Sequence, residues 1–303
     1  MDQLLALLPY EFVQNAIAAG FVIAIVSGVV SGFVVARNMS FAVHALAELG
    51  FTGSAGFLLV HLSPVLGLLF GSAITAVFIG TLGVRARGRD VVVGVVMAFG
   101  LGLGVLFITL YKGYANQAFA ILFGTITGVS RGDVFLLIAI GAVTLIALAA
   151  VYRPLVFATV DPEVAEARGV PVGALAVVFL LIMAAAVAEA IQVVGVLLIL
   201  TLLITPGAAA ERLTPRPGLA IAYSVGIALL CTLGGILLSL ITNAPVSVFV
   251  TSLSFACYLL ARFAIGPRRS SRGERRRVAG GAVGAGDPAW SPEGPASTPA
   301  IRR

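Results

Sequence analysis

Long apolar runs, broken by short clusters of Arg, Pro and Asp, dominate the pattern of this chain. Such runs occupy roughly 13–36, 39–59, 64–84, 91–111, 134–153, 173–190, 191–209, 218–241 and 245–263. Each approaches the ~20 apolar residues that a helix needs to cross the ~30 Å hydrocarbon layer of a bilayer. A membrane β-barrel would instead show ~10-residue segments of alternating polarity, whereas these runs are continuous and rich in Leu, Ala, Val and Gly. The pattern predicts an all-α, polytopic transmembrane helical bundle of about eight or nine spanning helices. Composition agrees, since 60% of residues are hydrophobic, only 11% are charged and the mean hydropathy is +1.10, far from the balance of a soluble domain.

Basic residues orient the spans, because Lys and Arg of short loops are retained on the cytoplasmic side. With the N-terminus outside, all but Lys112 and Arg131 of the 19 basic residues fall on the cytoplasmic side. The segment 112–133 holds an apolar run, Ala118 to Ile126, too short to cross; it reads as an external loop with a possible re-entrant helix, the alternative being a further crossing that inverts half the topology. Asp2 and Glu11 at the start do not resemble the basic beginning of a cleaved signal. Residues 1–265 are therefore read as a transmembrane domain, and 266–303, with Arg275, Arg276 and Arg277, as a disordered basic, Pro/Gly-rich cytoplasmic tail. The net charge of +6 follows this topology and forms no folded basic face, which argues against nucleic acid as a partner. Cys231 and Cys257 fall in separate predicted spans and read as small apolar fillers.

Ionisable side chains are expensive near the bilayer centre, so those that occur there are candidates for function. In the second span Ser40, His44, Glu48 and Thr52 recur every fourth residue, which aligns them as one polar stripe on a helix. Gly50, Gly53 and Gly56 would let the same helix pack closely. His44 and Glu48 place an imidazole and a carboxylate one turn apart, a donor set that suits Zn²⁺ or Mn²⁺. Two protein ligands are too few for a closed structural site and fit a weak transit site, as conduction requires; a hydrogen bond holding two helices together is the alternative. Glu189, Gln192 and His61 lie near predicted span ends and read as solvated.

The longest cytoplasmic loop contains a second signal. Asp161 is a suitable N-cap, Pro162 stands at the first helical position, Glu163 adds charge to the first turn, and Gly169 follows as a stop. The segment 161–170 reads as a short helix, either an ordinary loop helix or a place where a motor subunit pushes.

The membrane region resembles the permease subunits of bacterial zinc and manganese ATP-binding-cassette importers, the metal-ion ABC-3 family. Three stretches carry the likeness: Arg37-Asn38-Met39-Ser40 followed by His44-Ala45-Leu46-Ala47; Asp161-Pro162-Glu163 with Ala165 and Gly169-Val170, which is similar to the family's coupling helix; and Val194-Gly195-Val196-Leu197-Leu198 continuing through Leu202-Leu203-Ile204 to Pro206-Gly207-Ala208-Ala209-Ala210. The resemblance covers roughly residues 10–265. It implies a homodimeric, multi-pass permease of the bacterial cell membrane that imports zinc or manganese by alternating access. ATPase subunits would dock on Asp161, Pro162, Glu163, Ala165 and Gly169, and an extracytoplasmic metal-binding protein would deliver the ion. It also implies no catalysis by this chain and no permanently bound cofactor; the chain has no Walker-type loop, and its one lysine is Lys112. Glu48 stands where the family often has His. A proton-coupled secondary carrier using His44 and Glu48 is the competing reading from the residues alone.

Overall fold

The computed structural model describes residues 9–82, 89–111, 129–196, 199–242 and 244–264, within a compact unit that extends to Ile265. The described residues form helices α1 (Glu11–Ala36), α2 (Ser40–Leu59), α3 (Pro64–Leu82), α4 (Arg89–Leu110), α5 (Arg131–Val160), α6 (Pro162–Ala167), α7 (Val172–Val194), α8 (Ile199–Leu213), α9 (Pro217–Thr242) and α10 (Val246–Ala264). Eight of them, all but α6 and α8, are long and apolar enough to span a membrane. The chain is thus a polytopic all-α bundle among its described residues.

Helices in lipid gain little from hiding apolar surface from one another, so they associate where small residues let backbones approach. The tightest approach is between α2 and α3. A Cβ added at Gly53 would strike the carbonyl oxygen of Gly67 and come within 2.8 Å of the Gly71 Cα, and one at Gly67 would lie 2.7 Å from the Ser54 Cα. Hydroxyls reinforce such contacts: Ser72 Oγ donates to the Leu46 carbonyl at 2.9 Å, Thr52 Oγ1 to the Gly100 carbonyl of α4 at 2.8 Å, and Ser224 Oγ of α9 to the Gly28 carbonyl at 2.7 Å.

These pairings fix the relative running directions of several long helices. Gly20, Gly28 and Gly32 of α1 face Ile236, Val225 and Ile221 of α9, an antiparallel match. Leu49, Thr52 and Gly56 of α2 face Gly100, Gly104 and Phe107 of α4, a parallel one. At the start of α5, Arg131 pairs with Glu11 at 2.6 Å and the Val129 carbonyl accepts from Asn15 Nδ2 at 3.2 Å, so α5 begins at the same end of the bundle as α1. Tyr111 and Val129 therefore lie at one face, as a non-crossing connection requires. The connection itself, 112–128, lies outside the described residues, as do the tail 266–303 and the basic residues Arg85 and Arg87.

Local chemistry moves several predicted boundaries. Ser130 and Asp133, read from sequence as the end of a loop, form a capping box: Asp133 N–H donates to Ser130 Oγ at 3.2 Å and Ser130 N–H to Asp133 Oδ2 at 3.0 Å. That cap starts α5 earlier than the predicted residue 134. At the other end α5 runs through Pro154 to Val160 and does not stop at Arg153. The break predicted between 190 and 191 falls instead at Gly195, whose φ of 82° is open to glycine and strained for other residues.

The remaining predicted span, 191–209, becomes the 15-residue α8. At ~1.5 Å per residue it is only about 22 Å long, short of the ~30 Å hydrocarbon layer. Pro206 inside α8 frees backbone groups, and Ser31 of α1 answers by accepting the Gly207 N–H at 2.8 Å. The stretch Pro206 to Ala210, singled out in the sequence, is thus a packing surface: a Cβ on Gly207 would collide with the Ser31 carbonyl, and Ala209 and Ala210 are fully buried.

Replacing Gly53 by Ala forces α2 from α3, whereas Gly94, with nothing within 4 Å of its Cβ position, should accept Ala freely. We expect Gly53→Ala to cost about 1–3 kcal/mol and to lower the unfolding temperature in detergent relative to Gly94→Ala; equal temperatures would sink the close-packing account.

Candidate functional site

The polar stripe forms as the four-residue spacing predicts, with different environments along it. Ser40, His44 and Glu48 are partly exposed, while Thr52 is buried and spends its hydroxyl on the Gly100 carbonyl and on the Glu48 carbonyl of its own helix, at 3.1 Å. His44 Nε2 lies 3.1 Å from Glu48 Oε1, with side-chain exposures of 36% and 17%. His44 Nδ1 is buried without a partner among the described residues.

This geometry bears on the two sequence readings of the pair. The His44–Glu48 bond runs along one helix, between residues one turn apart, and ties no two helices together. Packing of α2 rests on the glycine contacts and on Ser72 and Thr52. An imidazole and a carboxylate already convergent, and still open on one side, form an incomplete ligand set for a divalent ion. No cluster of three or more His, Cys, Asp or Glu side chains exists among the described residues, so further donors would come from water, backbone or other groups.

The segment 161–170 folds as its sequence predicts. Asp161 Oδ1 accepts the Val164 N–H at 3.0 Å, Pro162 occupies the first turn of α6, and Gly169 takes φ +83°. Val170 N–H donates to the Ala165 carbonyl at 3.0 Å and Gly169 N–H to the Glu166 carbonyl at 2.9 Å, the paired bonds of a Schellman stop. Ala165 is fully buried while Pro162, Glu163, Glu166 and Arg168 are exposed. The helix is therefore anchored through one methyl group and presents nearly all of its remaining surface outward. Asp161 is at once the C-cap of α5 and the N-cap of α6, so the two helices meet without slack.

Arg37 links that junction to the polar stripe. Its Nη1 donates to Thr159 Oγ1, near the end of α5, at 3.0 Å, and its guanidinium stands 5.5 Å over the Phe179 ring of α7. Arg37, Asn38, Thr159, Pro162, Glu166 and Val172 line a common cavity of ≈ 400 Å³. The chain turns at Asn38 with φ 53°, a conformation Asn tolerates, and enters α2 two residues later. Sequence reading had singled out Arg37 as part of a motif; its contact with the end of α5 pairs residues 122 positions apart and had no local signal.

One reading from the sequence needs correction. Glu189, expected to be solvated near a span end, is wholly buried because α7 continues past it to Val194; Gln192, one turn on, is partly buried. Cys231 and Cys257 lie in separate helices as expected, yet their sulfurs approach to 3.8 Å across α9 and α10. His61 is exposed, as expected.

Comparisons with known proteins place this architecture. The manganese transport system membrane protein MntC of Halalkalibacterium halodurans is 29% identical over 263 residues, spanning 86% of this chain and 89% of that one. The high-affinity zinc uptake system membrane protein ZnuB of Haemophilus influenzae is 24% identical over 258 residues, spanning 84% and 98%. In fold, the chain is similar to a chain of PsaBC from Streptococcus pneumoniae, solved in complex with Fab, with a TM-score of 0.79 at 24% identity over 90% of this chain and 99% of that one. The ABC 3 transport family matches residues 9–265, nearly the whole helical bundle, and the chain belongs to that family.

Proposed function

We propose that this chain is the membrane permease subunit of an ATP-driven importer of divalent metal ions, manganese or zinc, and that His44 and Glu48 form its transit site. The observation that carries the reading is the half-open imidazole–carboxylate pair on a helix whose packing is done by other residues. A bundle can afford such a pair only where a hydrophilic cavity or a cargo ion meets it. Relatives named for manganese transport and zinc uptake point the same way, and they do not favour a proton-coupled carrier using His44 and Glu48.

In this reading ATP hydrolysis belongs to separate cytoplasmic subunits that seat on α6, with Asp161, Pro162, Glu163, Ala165 and Gly169 shaping the contact. The N-terminus lies outside, which puts Arg37, α6, Arg153, Arg168, Arg212 and Arg216 on the cytoplasmic face in keeping with the bias of basic residues. The permease works as a homodimer, receives its ion from an extracytoplasmic binding protein and holds no permanent cofactor. The segment 266–303 forms a disordered cytoplasmic tail.

Alternating access then has a mechanical route. A push on α6 passes through Asp161 into α5, a rod of 30 residues, and Arg37 carries it to the α1–α2 turn, a few residues below His44. Rocking of packed helices about such a junction is an ordinary way to switch the exposure of a site.

His44→Ala and Glu48→Ala should each lower ATP-dependent uptake of radiolabelled manganese or zinc by at least about tenfold at matched membrane levels, by loss of a ligand. Glu48→His, which restores a donor, should recover much of it. Uptake unchanged in both alanine variants would remove the pair from the transit path.

Asp161→Ala removes an N-cap worth about 1 kcal/mol and loosens the α5–α6 joint. With the partner ATPase, we expect hydrolysis to persist while uptake falls, the split that marks uncoupling. Arg37→Ala should behave alike; uptake and hydrolysis falling in equal proportion in both variants would count against transmission along this route.

A further inference from the structure

Glu189 is the one buried acidic side chain among the described residues that neither the transit pair nor the coupling segment uses. It has no exposed surface, and neither of its carboxyl oxygens has a hydrogen-bond partner among the described residues. The surrounding helices make room for it. A Cβ added at Gly141 of α5 would lie 3.0 Å from Glu189 Oε1 and 3.0 and 3.1 Å from the methyl groups of Val22 and Val26 of α1. The glycine therefore forms a notch in α5 that holds the carboxyl group against two valines.

The position is separate from the transit pair. At ~1.5 Å per residue, Glu189 stands about 25 Å along α7 from Val172, whereas Glu48 stands about 12 Å along α2 from Ser40. The starts of α2 and α7 lie on the same face, where Asn38 and Val172 share a cavity. Glu189 is thus deeper toward the opposite face, which in the proposed orientation is where the ion enters.

The chemistry of the notch selects its ligand. A metal ion needs several donors, and Glu189 belongs to no cluster of three or more His, Cys, Asp or Glu among the described residues, while valine methyls flank its carboxyl group at Gly141. A proton needs one oxygen, and it removes a charge whose isolated burial is costly. Among the described residues, the helices packed on α7 bring no counter-charge to the notch. α3 has no titratable side chain, and α1 has Glu11 alone, at its start. α5 keeps Arg131 and Asp133 near one end and Tyr152 and Arg153 toward the other. α8 and α10 carry Glu211, Arg212, Cys257, Tyr258 and Arg262 toward the α6 face, α6 carries Glu163 and Glu166 there, and α2 carries only His44 and Glu48.

We propose that Glu189 is a proton-binding site of the bundle, occupied in the closed arrangement and emptied when α1, α5 and α7 part. On parting, the O–H bond breaks, the proton passes to water in the opened cleft, and the carboxylate remains; closure reverses the step. The exchange rests on the alternating-access reading, but occupancy of the site does not, so the two can fail separately.

The first test is infrared spectroscopy of the purified full chain in lipid nanodiscs at neutral pH. The wild type should show a protonated-carboxyl C=O band that shifts in deuterium oxide, and the isosteric Glu189→Gln variant should lose that band while remaining monodisperse. Absence of the band in the wild type, which needs no variant to fold, or its persistence in Glu189→Gln overturns the proposal. The second test is the pH profile of metal uptake with the partner ATPase, which should vary across the neutral range in the wild type and lose that variation in Glu189→Gln. Identical profiles overturn the exchange step. Failure of the wild type to take up metal would instead strike the permease reading and leave the infrared result standing.

Discussion

A backbone surrounded by hydrocarbon has no water to satisfy its N–H and C=O groups, and this constraint governs the structure. It forces the apolar runs into helices and leaves association to close contact and to a few hydroxyls. The glycines of α2 and α3, and those of α1 against α9, are sites where backbone meets backbone. Where Pro206 interrupts the ladder of α8, the bundle supplies Ser31 to take up a freed N–H.

Polar side chains sort by what they do under that constraint. Ser72, Thr52 and Ser224 find a carbonyl on a neighbouring helix and act as fasteners. His44 and Glu48 find each other and keep an open side, which is poor as a fastener and good as a binding surface. Glu189 finds no partner at all and sits in a notch shaped by Gly141. Three degrees of satisfaction thus set the fasteners, the His44–Glu48 pair and Glu189 apart within one bundle, and the separation is visible because unpaired polar groups in such surroundings are costly.

The face that carries α6 and the interior of the bundle are joined by short, stiff connections. Asp161 caps two helices at once, α6 is held by Ala165 while exposing its remaining surface, and Arg37 spans from the α1–α2 turn to the end of α5 and the face of Phe179. A six-residue helix has little stability of its own; its N-cap and its Schellman stop hold it in shape as a surface against which another protein can press. Mechanical coupling of the kind proposed above would rest on that rigidity, and loss of a cap or of the guanidinium would soften it without touching His44 or Glu48.

Much of this was legible in the chain. Most helical spans, the α6 helix and the His44–Glu48 stripe arise from periodicity, length or capping over a few residues, and they formed as read. Boundaries were less legible, because a capping box at Ser130 and a left-handed glycine at Gly195 outweigh hydropathy in deciding where helices start and stop. The burial of Glu189, the contact of Cys231 with Cys257 and the reach of Arg37 to Thr159 could not be seen at all. The sequence by itself determined which segments must be helices and which residues share a helix face, because those depend on neighbours within a turn or two. Only the tertiary structure decided which faces meet, because helix association in lipid is set by shape, glycine against backbone and hydroxyl against carbonyl, between residues far apart in the chain.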